Sequence, residues 1–273
     1  MGRNSSWELV VIFILYFIIG LLASTLGAIA GLGGGVIIKP VLDFFGDFDL
    51  PTIGVLSAGT VLAMATVSLI KLRNKEVKVD KVISSVLAVG SILGGVVGKS
   101  IFNVIAVTLN IPTATAIIQS SVLALLLTLV FIYFLKKDNI RSFAFKNRVA
   151  IFAIGFVLGF LSAFLGIGGG PLNVTVLILL FSMTAKKAAV NSIFIIFFSQ
   201  LSALLLIAFT TGYAEYDLSM LLYMIPGGIL GGIIGSTITV KLSNKQIEKL
   251  FHVTILIIIL INLYNIVNVA FLQ

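Results

Sequence analysis

The sequence contains no cysteine, a single histidine and few charged residues, which make up 10% of the chain. Without cysteine the chain can form no disulfide, no thiolate metal site and no cysteine nucleophile. His252 alone cannot supply the ligands of a zinc site. The Gly-x-x-x-x-Gly-Lys-Ser/Thr loop that binds nucleotide phosphates is also missing. We therefore expect no metal, no cofactor and no enzymatic activity.

Apolar residues are abundant instead: they form 59% of the chain, and the mean hydropathy is +1.21. Soluble domains carry roughly 45–50% apolar and about 25% charged residues. An apolar stretch of about 20 residues spans a bilayer as a helix. The sequence thus predicts an all-α polytopic membrane protein, with no nucleic-acid binding despite a net charge of +8. The apolar segments are 7–30, 36–48, 52–70, 82–98, 112–135, 149–165, 171–184, 188–211, 217–240 and 250–271.

Two glycine clusters interrupt these apolar segments. Residues 31–35, which we name the first break, read Gly-Leu-Gly-Gly-Gly, and residues 166–170, the second break, read Gly-Ile-Gly-Gly-Gly. A helix can break inside a membrane only where its freed backbone groups are buried in protein or line a wet cavity. Matching breaks in two halves of a chain are typical of transporters that bind their ligand near the bilayer centre.

A second motif is also duplicated, because Leu-Gly-Gly-x-x-Gly stands at 93–98 and again at 230–235. The duplications divide the chain into repeats 7–136 and 149–272, joined by the basic linker 137–148. The glycines of this motif extend into small-xxx-small spacing, which predicts close helix packing in lipid. They are Gly90, Gly94 and Gly98 in the first half and Gly227, Gly231 and Gly235 in the second.

The distribution of basic residues separates two topologies, since Lys and Arg favour the cytoplasmic side. If each break and its flanks form one simple span, 11 of the 18 basic residues lie in the cytoplasm; if each break is the tip of a hairpin, 15 of 18 do. The second topology is favoured. It gives each half a glycine-tipped, broken-helix hairpin plus three transmembrane helices, inverts the halves relative to each other, and places both termini outside the cytoplasm.

The breaks are the predicted ligand site. Glycine lets the backbone adopt positive φ and approach a ligand closely, and a helix that begins at a break offers free N–H groups to an anion. Close helix packing is the alternative explanation for the same glycines. The candidate substrate-binding residues are Gly31, Gly33, Gly34, Gly35, Thr60, Gly166, Gly168, Gly169, Gly170, Asn191 and Ser192. Lys39, Asn173 and Gln200 are candidates for the access path.

The chain resembles the TauE/SafE family of sulfite exporters and related anion transporters. The features that carry the resemblance are 31–40 with its repeat at 166–171, the pairs 59–60 and 191–192, and the two Leu-Gly-Gly-x-x-Gly segments. The resemblance implies a bacterial inner-membrane protein that moves sulfite or an organosulfonate. We expect export by alternating access, with cation-coupled import and an anion channel as alternatives. A small anion and the lipid bilayer are the expected partners, and the resemblance is compatible with an oligomer.

Overall fold

The computed structural model describes residues 6–73, 75, 77–105 and 112–271. These residues form ten α-helices and a short 3-10 turn, and they contain no β-strand, so the all-α prediction is confirmed. The helices are α1 Ser6–Ala30, α2 Gly35–Phe45, α3 Leu50–Leu72, α4 Lys81–Asn103, α5 Pro112–Lys136, α6 Arg148–Leu165, α7 Gly170–Phe181, α8 Ala185–Phe209, α9 Leu221–Lys241 and α10 Asn244–Phe271.

Eight helices in the described part of the chain are long and apolar enough to cross a membrane. The other two, α2 and α7, directly follow the breaks and have only 11 and 12 residues. At 1.5 Å of rise per residue each reaches about 16–18 Å, whereas the hydrocarbon core is about 30 Å thick. The short segments predicted after each break are therefore confirmed.

The short helix α2 folds back along α1. The hydroxyl of Tyr16, in the middle of α1, donates a hydrogen bond of 2.7 Å to Asp47, just beyond the end of α2. Nearer to the first break, a β-carbon on Gly34 would stand 3.1 Å from the carbonyl oxygen of Ala23. Later residues of α2 thus contact earlier residues of α1, and the two helices form a hairpin with glycines at its tip.

Two helix pairs pack with their backbones in direct contact. α4 presents glycines to α6, and α9 presents glycines to α1; a β-carbon at any of these positions would overlap a carbonyl oxygen of the partner helix. The predicted close packing of these glycines is confirmed. In α4 they are Gly90, Gly94 and Gly98, against the carbonyls of Phe152, Phe156 and Phe160. In α9 they are Gly227, Gly231 and Gly235, against the carbonyls of Phe17, Leu21 and Thr25.

The two glycine interfaces mirror each other across the halves of the chain. A first-half helix, α4, packs on second-half α6, and a second-half helix, α9, packs on first-half α1. The partner helices also present glycines at corresponding positions. Gly155 of α6 packs on Leu87 of α4, and Gly20 of α1 packs on Met224 of α9. Reciprocal contacts of this kind are what a two-fold relation between two halves produces.

The direction of that two-fold axis follows from α5 and α10, the last helices of the two halves. Phe134 near the end of α5 contacts Phe251 near the start of α10, with ring centroids 4.7 Å apart. Towards the other end of the pair, Ser120 and Asn265 line one cavity. Equivalent helices would run parallel about an axis along the membrane normal, but these run antiparallel. The antiparallel arrangement is the one that the predicted inverted repeats require, with a two-fold axis in the membrane plane.

Adjacent glycines in α4 provide a matched test of the glycine interface. Gly94→Ala places a methyl group on the carbonyl oxygen of Phe156, whereas Gly95→Ala has no neighbour closer than 3.9 Å. We expect Gly94→Ala to lose about 1–3 kcal/mol through overpacking, and Gly95→Ala to gain up to about 0.5–1 kcal/mol from reduced backbone entropy. Thermal unfolding of the detergent-solubilised variants measures both, and equal midpoints would contradict the interface.

The absence of cysteine makes the inferred topology directly testable. Glu215 lies in the exposed loop between α8 and α9, and Arg141 lies in the exposed linker between α5 and α6. In intact cells, a membrane-impermeant maleimide should label Glu215→Cys from outside and should label Arg141→Cys only after permeabilisation. The reverse pattern, or labelling of both from one side, would contradict the inverted topology.

Candidate functional site

The two breaks have positive φ angles at the same positions. The first, third and fourth residues of each break have positive φ angles, from 68° to 81°. They are Gly31, Gly33 and Gly34 in the first break and Gly166, Gly168 and Gly169 in the second. L-residues with a β-carbon adopt this region only at a cost, so the turn requires glycine. Pro171 occupies the first turn of α7, where the missing N–H is tolerated.

The two breaks touch each other. A β-carbon on Gly170 would overlap the carbonyl oxygen of Leu32, and a β-carbon on Gly35 would stand 2.9 Å from that of Ile167. Leu32 and Ile167 are fully buried and occupy the same position in their respective breaks. Each break therefore contributes one buried apolar residue, and the carbonyl of that residue packs against the last glycine of the other break.

The helix α8 shows how deep the breaks lie. Gly31 packs against Ala189 of α8, Gly33 against Ile196, and Gly168 faces the side chain of Gln200. These contacts cover the second to fifth turns of a helix that is 25 residues long. Both breaks consequently lie inside the span and away from its ends.

Three buried side chains with hydrogen-bond donors surround the second break. The Ser162 hydroxyl lies 2.8 Å from the position of a β-carbon on Gly169, and the Asn173 amide nitrogen lies 3.6 Å from it. The amide nitrogen of Gln200 lies 3.0 Å from the same position on Gly168. All three side chains are buried, and the hydroxyl of Ser162 has no hydrogen-bond partner. Asn173 and Gln200, predicted for the access path, thus stand at the break itself.

Backbone amides add further donors to the second break. Among the described residues, the N–H groups of Gly168, Gly169 and Gly170 have no backbone acceptor. They belong to the start of α7, where the unpaired N–H groups of a helix carry its positive dipole end. A buried site with several donors and no carboxylate among these residues suits a ligand that only accepts hydrogen bonds.

The first break also has unpaired donors, because the N–H groups of Gly34 and Gly35 have no backbone acceptor among the described residues. Ser192 donates a hydrogen bond of 2.6 Å to the carbonyl of Gly31, and the amide of Gly33 donates one of 3.2 Å to Gly27. Ser192 therefore contacts the break, in line with its choice as a candidate. The hydroxyl of Ser24, which is fully buried beside Gly34, has no partner.

Thr60 and Asn191 have other partners in this structure. The Thr60 hydroxyl donates to the carbonyl of Leu56, and its methyl group packs on α9. The side-chain oxygen of Asn191 accepts hydrogen bonds from the Asp80 amide at 2.7 Å and from the Ser84 hydroxyl at 2.6 Å. Both residues hold helices together here, and their contact with a ligand stays a prediction.

The structure matches the two halves differently at these positions from the sequence comparison, which paired 59–60 with 191–192. Asp49 and Thr184 cap the starts of α3 and α8 and are 135 residues apart, the same interval that separates the two breaks. The residue equivalent to Ser192 is therefore Ser57 and not a residue of the Gly59–Thr60 pair. Ser57 indeed faces the first break, with its hydroxyl 3.0 Å from the position of a β-carbon on Gly35.

Lys39 is buried in α2, with only 3% of its surface exposed. Its ammonium group forms an ion pair of 2.8 Å with Asp43, and its methylene chain passes beside Gly166 of the second break. No motif of the sequence assigned a role to Asp43 or Ser162. A lone hydroxyl one turn before a break, and an acid four residues after a lysine, are the signals that identify them.

Comparison with known proteins agrees with this architecture. The sequence model of the family described as sulfite exporter TauE/SafE matches residues 16–262. The "probable membrane transporter protein YunE" of Bacillus subtilis is 28% identical over 90% of this chain and 95% of its own length. A "probable membrane transporter protein" of Methanocaldococcus jannaschii is 25% identical over 89% of this chain and 92% of its own length. No solved structure matches the chain significantly.

The hydrogen bonds of Asn191 predict a structural effect for its replacement. Asn191→Ala leaves the Asp80 amide and the Ser84 hydroxyl without their acceptor. We expect a loss of about 1–3 kcal/mol, because buried polar groups left unsatisfied cost that much. Thr60→Val is the control, since it removes one hydrogen bond within a helix. Thermal unfolding that ranks Thr60→Val as the more damaging change would contradict this role.

Proposed function

Because the chain belongs to the TauE/SafE family, we propose that it carries a small sulfur oxyanion, sulfite or an organosulfonate, across the inner (plasma) membrane. The eight apolar helices among its described residues, together with its relatives, support a multi-pass membrane transporter. The family description supports the choice of a sulfur oxyanion. The chemistry of the second break independently supports an oxyanion.

The surplus of unpaired donors at the second break is the observation that carries this proposal. The oxygens of a sulfite or sulfonate group accept hydrogen bonds and donate none when ionised. The amides of Gly168, Gly169 and Gly170 and the hydroxyl of Ser162 lack acceptors among the described residues. An oxyanion seated at the start of α7 would pair these groups and meet the positive end of the helix dipole.

Alternating access supplies the movement in this proposal. The two breaks are packed against each other here, so an anion enters only when they separate. We take the contact between Gly170 and Leu32 as the closed state of the path. The proposed binding set consists of both breaks with Ser162, Asn173, Ser192 and Gln200, while Thr60 and Asn191 support the helices around it.

Two directions of transport fit this site. An inside-negative potential expels a monovalent anion with about 2.3 kcal/mol per 100 mV, so export needs no coupling ion. Uptake requires a co-transported cation. The ion pair of Lys39 with Asp43 favours the second direction, because ionisable groups inside membrane proteins mark ion and substrate pathways.

Counterflow of radiolabelled sulfite in proteoliposomes tests the substrate and the mechanism together. We expect sulfate and a small organosulfonate to compete to different extents, and a carrier to show counterflow that an open channel does not. Absence of sulfite and sulfonate flux from monodisperse, folded protein would overturn the substrate assignment.

Two serine-to-alanine variants, one at the site and one control, test the proposed binding site. Ser162→Ala removes a hydroxyl that has no partner in the fold, so we expect no loss of stability. The sulfite concentration for half-maximal counterflow should rise roughly 10- to 100-fold, since a hydrogen bond to a charged group contributes about 1.5–3 kcal/mol. The control is Ser236→Ala, whose hydroxyl bonds within α9. Equal sulfite affinities of the two variants would contradict the proposed site.

A further inference from the structure

The ion pair of Lys39 and Asp43 has no counterpart in the second half of the chain. It lies in α2, and the equivalent positions of α7 are Val174 and Ile178, which pack without charge. Taking two charges out of water costs several kcal/mol per ion, and the attraction between them often fails to offset that cost. A pair that one half carries and the other lacks therefore points to a task that only the first half performs.

Asp43 uses only one of its two oxygens for Lys39. Its Oδ2 is 2.8 Å from the lysine nitrogen, whereas its Oδ1 is buried and has no partner. Asn265 of α10 shows the same imbalance. Its amide nitrogen donates to the carbonyl of Pro40 at 2.9 Å, while its side-chain oxygen, also buried, has no partner. Two acceptor oxygens thus lack a donor or a cation.

A cavity of about 180 Å³ joins these residues at the C-terminal end of α2. Its polar lining consists of Asp43, Ser120, Asn265 and Asn268, with Gly46 at the helix end. The last carbonyls of a helix carry the negative end of its dipole. In broken-helix transporters such half-helix C-terminal ends coordinate Na⁺ or H⁺.

We propose that this cavity binds Na⁺, and that Lys39 couples the cation to the anion at the second break. The anion half of this statement rests on the proposed function. The methylene chain of Lys39 already passes Gly166, so its ammonium group turns from Asp43 to an arriving oxyanion by side-chain rotation. Asp43 then loses its counter-charge, and Na⁺ replaces it. Each negative group keeps one positive partner in both states.

The number and kind of oxygen ligands in the cavity favour Na⁺ over a proton. A proton needs a single carboxylate oxygen, whereas a hard cation takes several oxygen ligands from carboxylates, amides and hydroxyls. The cavity offers this mixed set from three helices, α2, α5 and α10. Two of the oxygens, on Asp43 and Asn265, are buried and unpaired.

Equilibrium binding of radiolabelled Na⁺ to the purified full-length protein tests the site without any transport. In wild type, sulfite should tighten Na⁺ binding at least tenfold, and Na⁺ should tighten sulfite binding by the same factor, because coupling between sites is reciprocal. Lys39→Met leaves Asp43 without its ammonium partner. It should bind Na⁺ without sulfite, at least tenfold more tightly than sulfite-free wild type.

Two further variants complete the design. Lys39→Met combined with Asp43→Asn removes both charges and should bind no Na⁺ while remaining folded. Asn265→Leu in the Lys39→Met background should weaken Na⁺ binding at least fivefold. Monodisperse elution on size exclusion shows that each variant is folded.

The outcomes separate this site from the proposed function. Failure of folded Lys39→Met to bind Na⁺, or retention of Na⁺ binding by the double variant, would overturn the site. Sulfite binding that follows pH and ignores Na⁺ would overturn it in favour of a proton. If wild type binds no sulfite while Lys39→Met binds Na⁺, the substrate assignment is refuted and the cation site is supported.

Discussion

A backbone that leaves its helix inside a membrane has to be buried in protein or line a wet cavity, and this constraint organises the molecule. Each break places the carbonyl of its buried apolar residue, Leu32 or Ile167, against a glycine of the other break. A side chain on Gly170 would overlap the carbonyl of Leu32. The breaks therefore exist as a pair, and the helices around them have to bring two distant parts of the sequence together.

The glycine interfaces meet that requirement by crossing between the halves. α1 carries the first break and is held by α9, while α6 carries the second break and is held by α4. Under the proposed alternating access, the units that move against each other are consequently not the two sequence repeats. A movement that keeps both glycine interfaces intact separates α1 with α9 from α6 with α4, and it opens the contact between the breaks.

Sequence patterns predicted the local structure well, because the glycine clusters and apolar segments act through the chain near them. The ten helices, the shortness of α2 and α7, and the packing of glycines such as Gly94 all follow from such patterns. The partners of Asn191 were beyond their reach, since its side chain bonds to residues more than 100 positions away. The roles of Ser162 and Asp43 likewise depend on how a short helix returns along its neighbour. Only the folded chain shows that a buried oxygen lacks a partner.

The crossed interfaces also bear on how such a chain arises. Taken alone, a single half would leave the packing faces of its first and fourth helices uncovered, because among the described residues both pack on helices of the other half. Under the inferred inversion, the surface that completes each face belongs to a second half inserted in the opposite orientation. An ancestral protein with one repeat would therefore have needed to enter the membrane in both orientations and to assemble as an antiparallel dimer. Duplication and fusion would then have fixed the two orientations in one chain.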